Sequence, residues 1–237
     1  MTNGAIIYQG PSPANGANIA LIATGLGTKS ANPKTGVMIQ TFILDVDTPP
    51  HDAQKSGLDE STCGDCALRP SRQPDRDKSC YVLTFQAPLS VWKAFRRGAY
   101  PVMTPADVGA IARRKNRPIR LGAYGDPAMV PFEVIAEMLD ASDTGHTGYT
   151  HQWDRPWFDA RYLTVIMASV DNDDQLDRLP ADARYFRVAT DDTPRHGEIT
   201  CPATVKDSDG NALSTCAQCQ LCAGSNKSAK NIVTAYQ

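Results

Sequence analysis

The chain has 237 residues, 41% of them hydrophobic and 21% charged, which is enough apolar content for one sizeable domain with or without a small appendage. No stretch approaches ~18 apolar residues, so no membrane-spanning helix is expected, and a formal net charge of −2 gives no global argument for a polyanionic partner. The opening residues lack a basic region followed by an apolar run, so no signal peptide is expected and the chain reads as cytoplasmic.

In chain order, the first part reads as antiparallel strands over residues 5–9, 18–24 and 37–44, separated by Gly, Pro and Asn, with a turn at Lys34-Thr-Gly36. Residues 45–79 turn polar and Pro-rich and read as a long loop, which needs a staple or a function to stay ordered. After it the pattern alternates. A strand is expected over 80–85, a helix from Ser90 to about Arg97, and a second helix at Thr104-Pro-Ala-Asp107, where a capping Thr precedes Pro and an acid. A strand over 118–122 and an amphipathic helix over 132–139 follow, then short strands over 147–151, 163–169, 184–188, 198–200 and 231–235. Asp171 to Asp174 lack the glycine and terminal Glu of a calcium loop and read as the first turn of a short helix.

Alternating strands and helices imply parallel pairing with right-handed crossovers. Several crossovers are too short for a complete eightfold barrel. The expected fold is therefore α/β: a partial or degenerate TIM-like barrel with an N-terminal antiparallel β segment and cysteine-ligated metal sites. The N-terminal β segment would span residues 1–50 and the α/β metal-binding part 51–237, as one compact domain.

Seven cysteines fall into two groups. Cys201, Cys216, Cys219 and Cys222 form a C-x14-C-x2-C-x2-C array, and Cys63-Gly-Asp-Cys66 is followed after thirteen residues by Cys80. A CxxC pair places two sulfurs on one tight turn, where they can grip zinc or an iron–sulfur cluster, and cytosolic cysteine clusters more often bind metal than form disulfides. The competing reading for Cys80 is a small buried hydrophobe at the start of a strand. The four-ligand array most simply means structure. The three-ligand set leaves a position for chemistry or for a fourth ligand such as His51.

In parallel α/β folds the carboxyl ends of the strands gather the chemistry. The expected strands end at Tyr124-Gly-Asp126-Pro, His151-Gln-Trp, Asp171-Asn and Cys201-Pro. Tyr124, Asp126, His151, Asp171 and Cys201 are thus expected at one mouth, the first four as catalytic candidates. Each has a plainer alternative: turn chemistry for Asp126, a satisfied buried polar group for His146 or His151, and packing for Tyr149, Trp153 and Trp157, which otherwise suit stacking on a ring. Charge is uneven too. Residues 92–120 carry eight basic residues against one acid, a candidate nucleic-acid face unless they are simply solvated helix surfaces. There is no GxGxxG after a strand, no GxxxxGK[ST], no HExxH and no GxSxG, and Gly25-Leu-Gly27 is only a weak echo of a phosphate loop. No His-hydrophobic-His triplet of a rolling-circle nickase is present.

The runs 120–127 and 146–153, with Cys201-Pro-Ala-Thr and the C-terminal cysteines, look like a family of cysteine-rich phage and prophage proteins for which no reaction is assigned. The likeness covers nearly the whole chain. More distantly, the Cys-rich loop, Cys80-Tyr81 and the strand-end Gly-Asp-Pro resemble phage radical-SAM-like barrel proteins. That resemblance implies a [4Fe–4S] cluster on Cys63, Cys66 and Cys80 with an iron open to S-adenosylmethionine, although the usual CxxxCxxC spacing is missing. Three functions follow as expectations: an iron–sulfur enzyme modifying nucleic acid or nucleotides, a zinc-stabilised nucleic-acid-processing protein with an aspartate nucleophile, or a non-enzymatic metal-stapled phage adaptor that binds a host or phage protein. The cytoplasm would be that of an infected bacterium.

Overall fold

A computed structural model of the chain describes residues 2–30, 32–73 and 80–235. Two five-stranded sheets organise it. In the first, β1 (Gly4–Pro11), β2 (Asn18–Thr24) and β3 (Ile39–Asp45) form an antiparallel meander, and β4 (Ile119–Tyr124) and β5 (His146–Thr147) continue it in parallel. In the second, β6 (Tyr149–Thr150), β7 (Met167–Val170), β8 (Tyr185–Ala189), β10 (Asn231–Ala235) and β9 (Glu198–Thr200) are paired in that order, all parallel. Only Gly148 separates β5 from β6, so one extended segment belongs to both sheets. Neither sheet closes into a barrel among the described residues. Strands β1 to β3 thus share one sheet with β4 and β5.

The alternation along β2 explains the layers. Ile19, Leu21 and Ala23 face one core with Ile43, Ile119 and Leu121, and Ala20 and Ile22 face another with Phe42, Leu44 and Tyr124. Successive strand side chains point to opposite faces, so a sheet buried on both sides needs apolar residues at nearly every position. On the first face pack α4 (Pro105–Lys115) and α5 (Phe132–Ser142), through Val108, Ile111, Ala112, Ile135 and Met138. On the second packs α3 (Ala87–Arg96), through Val91 and Ala94. The start of α4 is as the sequence predicts. Thr104 Oγ1 accepts from Asp107 N (3.1 Å) and the Asp107 carboxylate accepts from Thr104 N (3.4 Å), a reciprocal capping box.

The structure corrects several local expectations. The expected strand over 80–85 is irregular chain leading into a turn, with Tyr81, Leu83 and Phe85 each about half exposed. Val82 of this segment packs on the second core beside α3 instead of joining a sheet edge. The expected loop over 45–79 instead carries α1 (Pro50–Ser56), α2 (Glu60–Cys63) and a 3-10 turn (Pro70–Arg72), and residues 74–79 lie outside the described ones. Only the second half of 163–169 is strand: a 3-10 turn (Ala160–Thr164) runs into its start, and β7 begins at Met167. The short helix after Asp171 is present as α6 (Asp173–Arg178), capped by Asn172.

Candidate metal centre and cleft

Three strand ends meet a cysteine loop. At the end of β3, Asp45 Oδ2 accepts from Ser61 Oγ (2.9 Å) and so holds α2, which ends in Cys63. At the end of β4, Asp126 N donates to Thr62 O (2.8 Å), tying α2 to the second strand. Gly125 allows this approach: it has φ +79°, and a Cβ there would lie 2.7 Å from Ile43. Beyond β6, fully buried Gln152 reaches the Cys63–Cys66 turn. Its Nε2 donates to Cys63 O (3.0 Å) and its Oε1 accepts from Asp65 N (3.0 Å). Gly64, at φ +52°, is required between them, since a Cβ would stand 2.3 Å from Gln152 Oε1. On the outside, Arg69 donates to Gly64 O (2.8 Å), Gly57 O (2.6 Å) and Asp59 Oδ1 (2.8 and 3.0 Å).

The three thiols of this loop lie within one another's electrostatic reach. Burial pushes the Cys63 thiol well up, with the charges of Cys66, Asp59 and Cys80 adding to it. Burial also pushes Cys80 up to about 11, while the Val82 amide, donating to its sulfur, pulls the other way. That amide favours a thiolate, as a hydrogen bond to any charged form does. Tyr124, largely buried and hydrogen-bonded to Thr62, has its phenol pushed well up by burial and by Cys63. All seven cysteines are free thiols. Among the described residues no group of three or more His, Cys, Asp or Glu side chains stands ready-made at metal-binding geometry.

The remaining candidates divide by what their atoms touch. Asp126 Oδ1 accepts from Ala128 N (3.0 Å), and Oδ2 accepts from His151 N (2.8 Å) and Gln152 Nε2 (3.3 Å). Burial raises its carboxyl, opposed mainly by the charge of His151. Asp126 thus fixes the turn after β6. His151 lies beside the Cys66 thiol, and its Nε2 is 3.5 Å from Asp171 Oδ2 at the end of β7. Burial alone would lower the imidazole, but Cys66 and Asp171 outweigh it and raise it well above the usual histidine range. His51, the fourth ligand suggested by the sequence, is elsewhere: its Nδ1 is 3.4 Å from Thr84 Oγ1 and its ring meets the edge of Phe85.

Cys201 does not join this mouth. Its charged neighbours are Lys34, Cys216, Cys219 and Cys222, so all four C-terminal cysteines form a second cluster, packed beside Tyr149, Met167, Phe186 and Ile232 of the second sheet. Burial raises Cys201, Cys216 and Cys222, and the Ala203 amide, Lys34 and Arg120 work against that rise. The Tyr149 hydroxyl is hydrogen-bonded to Cys222. The aromatic residues pack instead of offering a free face: Tyr149 lies 4.7 Å from Phe186, Trp153 Nε1 donates to Ser169 O (2.8 Å), and Trp157 packs on the first core. His146 Nε2 donates to Val165 O (2.7 Å), so it is a satisfied histidine, and burial lowers its pKa.

A cleft of about 340 Å³ opens beside His151, lined by Asp65, Asp154, Arg72, Arg155 and Arg178 among others. Arg155 bridges Asp65 (2.9 Å) and Asp154 (2.8 Å), Arg178 reaches Asp154 (3.2 Å), and Arg72 pairs with Asp65. Three guanidinium groups here answer two carboxylates. Neither these arginines nor Gln152 stood out in the sequence, although Gln152 directly follows a singled-out histidine. The expected basic segment does not make one face. Lys93, Arg96 and Arg97 lie on or just after α3 and Arg113, Arg114 and Lys115 on α4, on opposite sides of the sheet, while Arg117 is buried against Gly25 O. Comparison with protein-family models, curated proteins and solved structures finds no match.

Proposed function

We propose that this chain is an iron–sulfur enzyme in which Cys63, Cys66 and Cys80 hold the reactive centre and Cys201, Cys216, Cys219 and Cys222 hold a structural one. The observation that carries this reading is the meeting of three thiols with His151 and Asp171 at the carboxyl ends of β4, β6 and β7, beside the arginine-lined cleft. Strand ends of parallel sheets are where α/β enzymes place their chemistry, and the parallel strands β4 to β10 read as an opened barrel. The substrate would be anionic, a nucleotide or a nucleic-acid strand, because the three guanidinium groups of Arg72, Arg155 and Arg178 outnumber the two carboxylates they pair with. Tyr124 and Asp126, both largely buried, would position the site without touching substrate.

The test is anaerobic purification with assay of iron, acid-labile sulfide and zinc. A broad visible absorption that bleaches with dithionite, reduced in Cys63→Ser but present in Arg155→Ala, is the expected result. A colourless protein holding stoichiometric zinc would sink the reading. Phosphate-bearing ligands should protect the wild type and protect Arg155→Ala less.

A further inference from the structure

We propose that the exposed side chains of Tyr81, Leu83 and Phe85, with the outer face of α3, bind a single strand of nucleic acid. Bases stack on Tyr81 and Phe85, and Lys93 and Arg97 meet the phosphates. This rests on the reading of the arginine-lined cleft as the place of an anionic substrate, and it selects a strand over a free nucleotide.

The first argument is what this segment exposes. Residues 81–85 alternate in direction. Val82 packs on the second core and Thr84 Oγ1 donates to Gln54 Oε1 (3.0 Å), while Tyr81, Leu83 and Phe85 stand 56%, 46% and 55% exposed. Single exposed apolar side chains are ordinary, but three large ones on one anchored segment form a patch of the kind that marks a binding surface. The inward residues hold the segment, and Leu89 N donates to Thr84 O (3.1 Å) where it enters α3.

The second argument is charge. From Cys80 to Ala106 the chain has three basic residues, Lys93, Arg96 and Arg97, and no acid. Gln86, Ser90, Lys93 and Arg97 are all exposed and recur every three or four residues, so they share one face that continues the strip along the helix. Arg96 is answered by Asp47 at 3.4 Å, whereas Lys93 and Arg97 pair with no carboxylate among the described residues. Open rings beside unanswered cations are what stacked bases and a phosphate backbone require. An apolar protein partner would match the rings and leave the cations without a counterpart.

The third argument is continuity with the cleft. The segment begins at Cys80, which lies within electrostatic reach of Cys66 and of His151, and His151 lines the cleft. A strand with one nucleotide in the cleft can therefore lay its neighbours along the strip.

The test uses the full chain purified anaerobically and fluorescence anisotropy with a labelled oligothymidylate of about 12 nucleotides. The wild type should bind it. Phe85→Leu, which keeps the apolar surface and removes the ring, should weaken binding about 5–150-fold, and Phe85→Trp should retain it. Lys93→Gln should reduce the slope of log affinity against log salt by about 0.7. Thymidine monophosphate, which reaches only the cleft, is the control: Arg155→Ala should weaken both ligands, and Phe85→Leu only the oligonucleotide. Equal oligonucleotide affinity in the wild type and in a Tyr81→Leu, Phe85→Leu double variant overturns the proposal. So does a wild type that ignores the oligonucleotide but binds phosphatidylglycerol vesicles, or forms dimers that Phe85→Ser dissolves. Iron, sulfide and zinc are assayed on the same preparations. A colourless zinc protein that still binds the oligonucleotide through Phe85 overturns the iron–sulfur reading and leaves this surface standing.

Discussion

Replacing Gln152 with Met tests the assembly of the cysteine loop most directly. The side chain is fully buried, and Met keeps nearly its volume, so the cavity penalty is small. What is lost is a set of three bonds: Nε2 to Cys63 O at 3.0 Å, Nε2 to Asp126 Oδ2 at 3.3 Å and Oε1 from Asp65 N at 3.0 Å. A buried hydrogen bond contributes about 1 kcal/mol net, and a partner left unsatisfied costs about 1–3 kcal/mol. The expected loss is about 3 kcal/mol. For a chain of this size that lowers Tm by about 6–12 °C at roughly 2–4 °C per kcal/mol. Urea unfolding by circular dichroism under reducing conditions measures it, with Thr104→Ala, a distant helix cap expected to cost about 1 kcal/mol, as the scale. A loss below about 0.5 kcal/mol would refute the claim that Gln152 clamps the turn. Metal retention by Gln152→Met should fall with stability, because the turn that presents Cys63 and Cys66 is no longer fixed.

Gly64→Ala should cost about 1–2 kcal/mol from its left-handed backbone alone, and more from the clash with Gln152. Combined with Gln152→Ala the two losses should be less than additive, which a double-mutant cycle in urea reads directly. The Arg187–Glu198 pair, buried with bonds of 2.7 and 2.8 Å, sets a pH dependence. Burial pushes the Glu198 carboxyl up, but Arg187 and the Arg195 amide outweigh it and hold it below the usual range. A depressed carboxyl stabilises the fold above its unfolded pKa of about 4.3, and that stability is lost as pH falls through the folded value. Tm should therefore fall below about pH 4 in the wild type and fall less in Glu198→Gln. Arg187→Met should cost about 3–5 kcal/mol at neutral pH, since it strands a buried carboxylate. For the C-terminal cysteines, a strong chelator should lower Tm markedly in the wild type and little further in Cys219→Ser. Equal chelator effects on both proteins would argue against a structural metal there.

What the sequence determined by itself is local. The Thr104–Asp107 cap, the helix after Asn172 and the extreme C-terminal strands were legible because their signals lie within a few residues of each other. CxxC spacing likewise announces two sulfurs on one turn before any fold is known. The false strand over 80–85 marks the limit of that kind of reading: its composition favours pairing, but the segment lies on the second core through Val82 and not at a sheet edge.

Only the tertiary structure decided which groups meet. Parallel pairing of β6 with β7 sets His151 beside Asp171, twenty residues apart in the chain, and Gln152 joins that strand end to a turn nearly ninety residues earlier. Pairing of β9 with β10, at the opposite edge of that sheet from β6, carries Cys201 away to the second cluster, and the two cores on opposite sides of the first sheet split the basic segment between them. Sequence spacing fixes which side chains share a turn or a helix face. Register and layer order, set by burying both faces of the sheet, decide which distant side chains share a site, and so placed His51 against Thr84 and His151 beside Asp171.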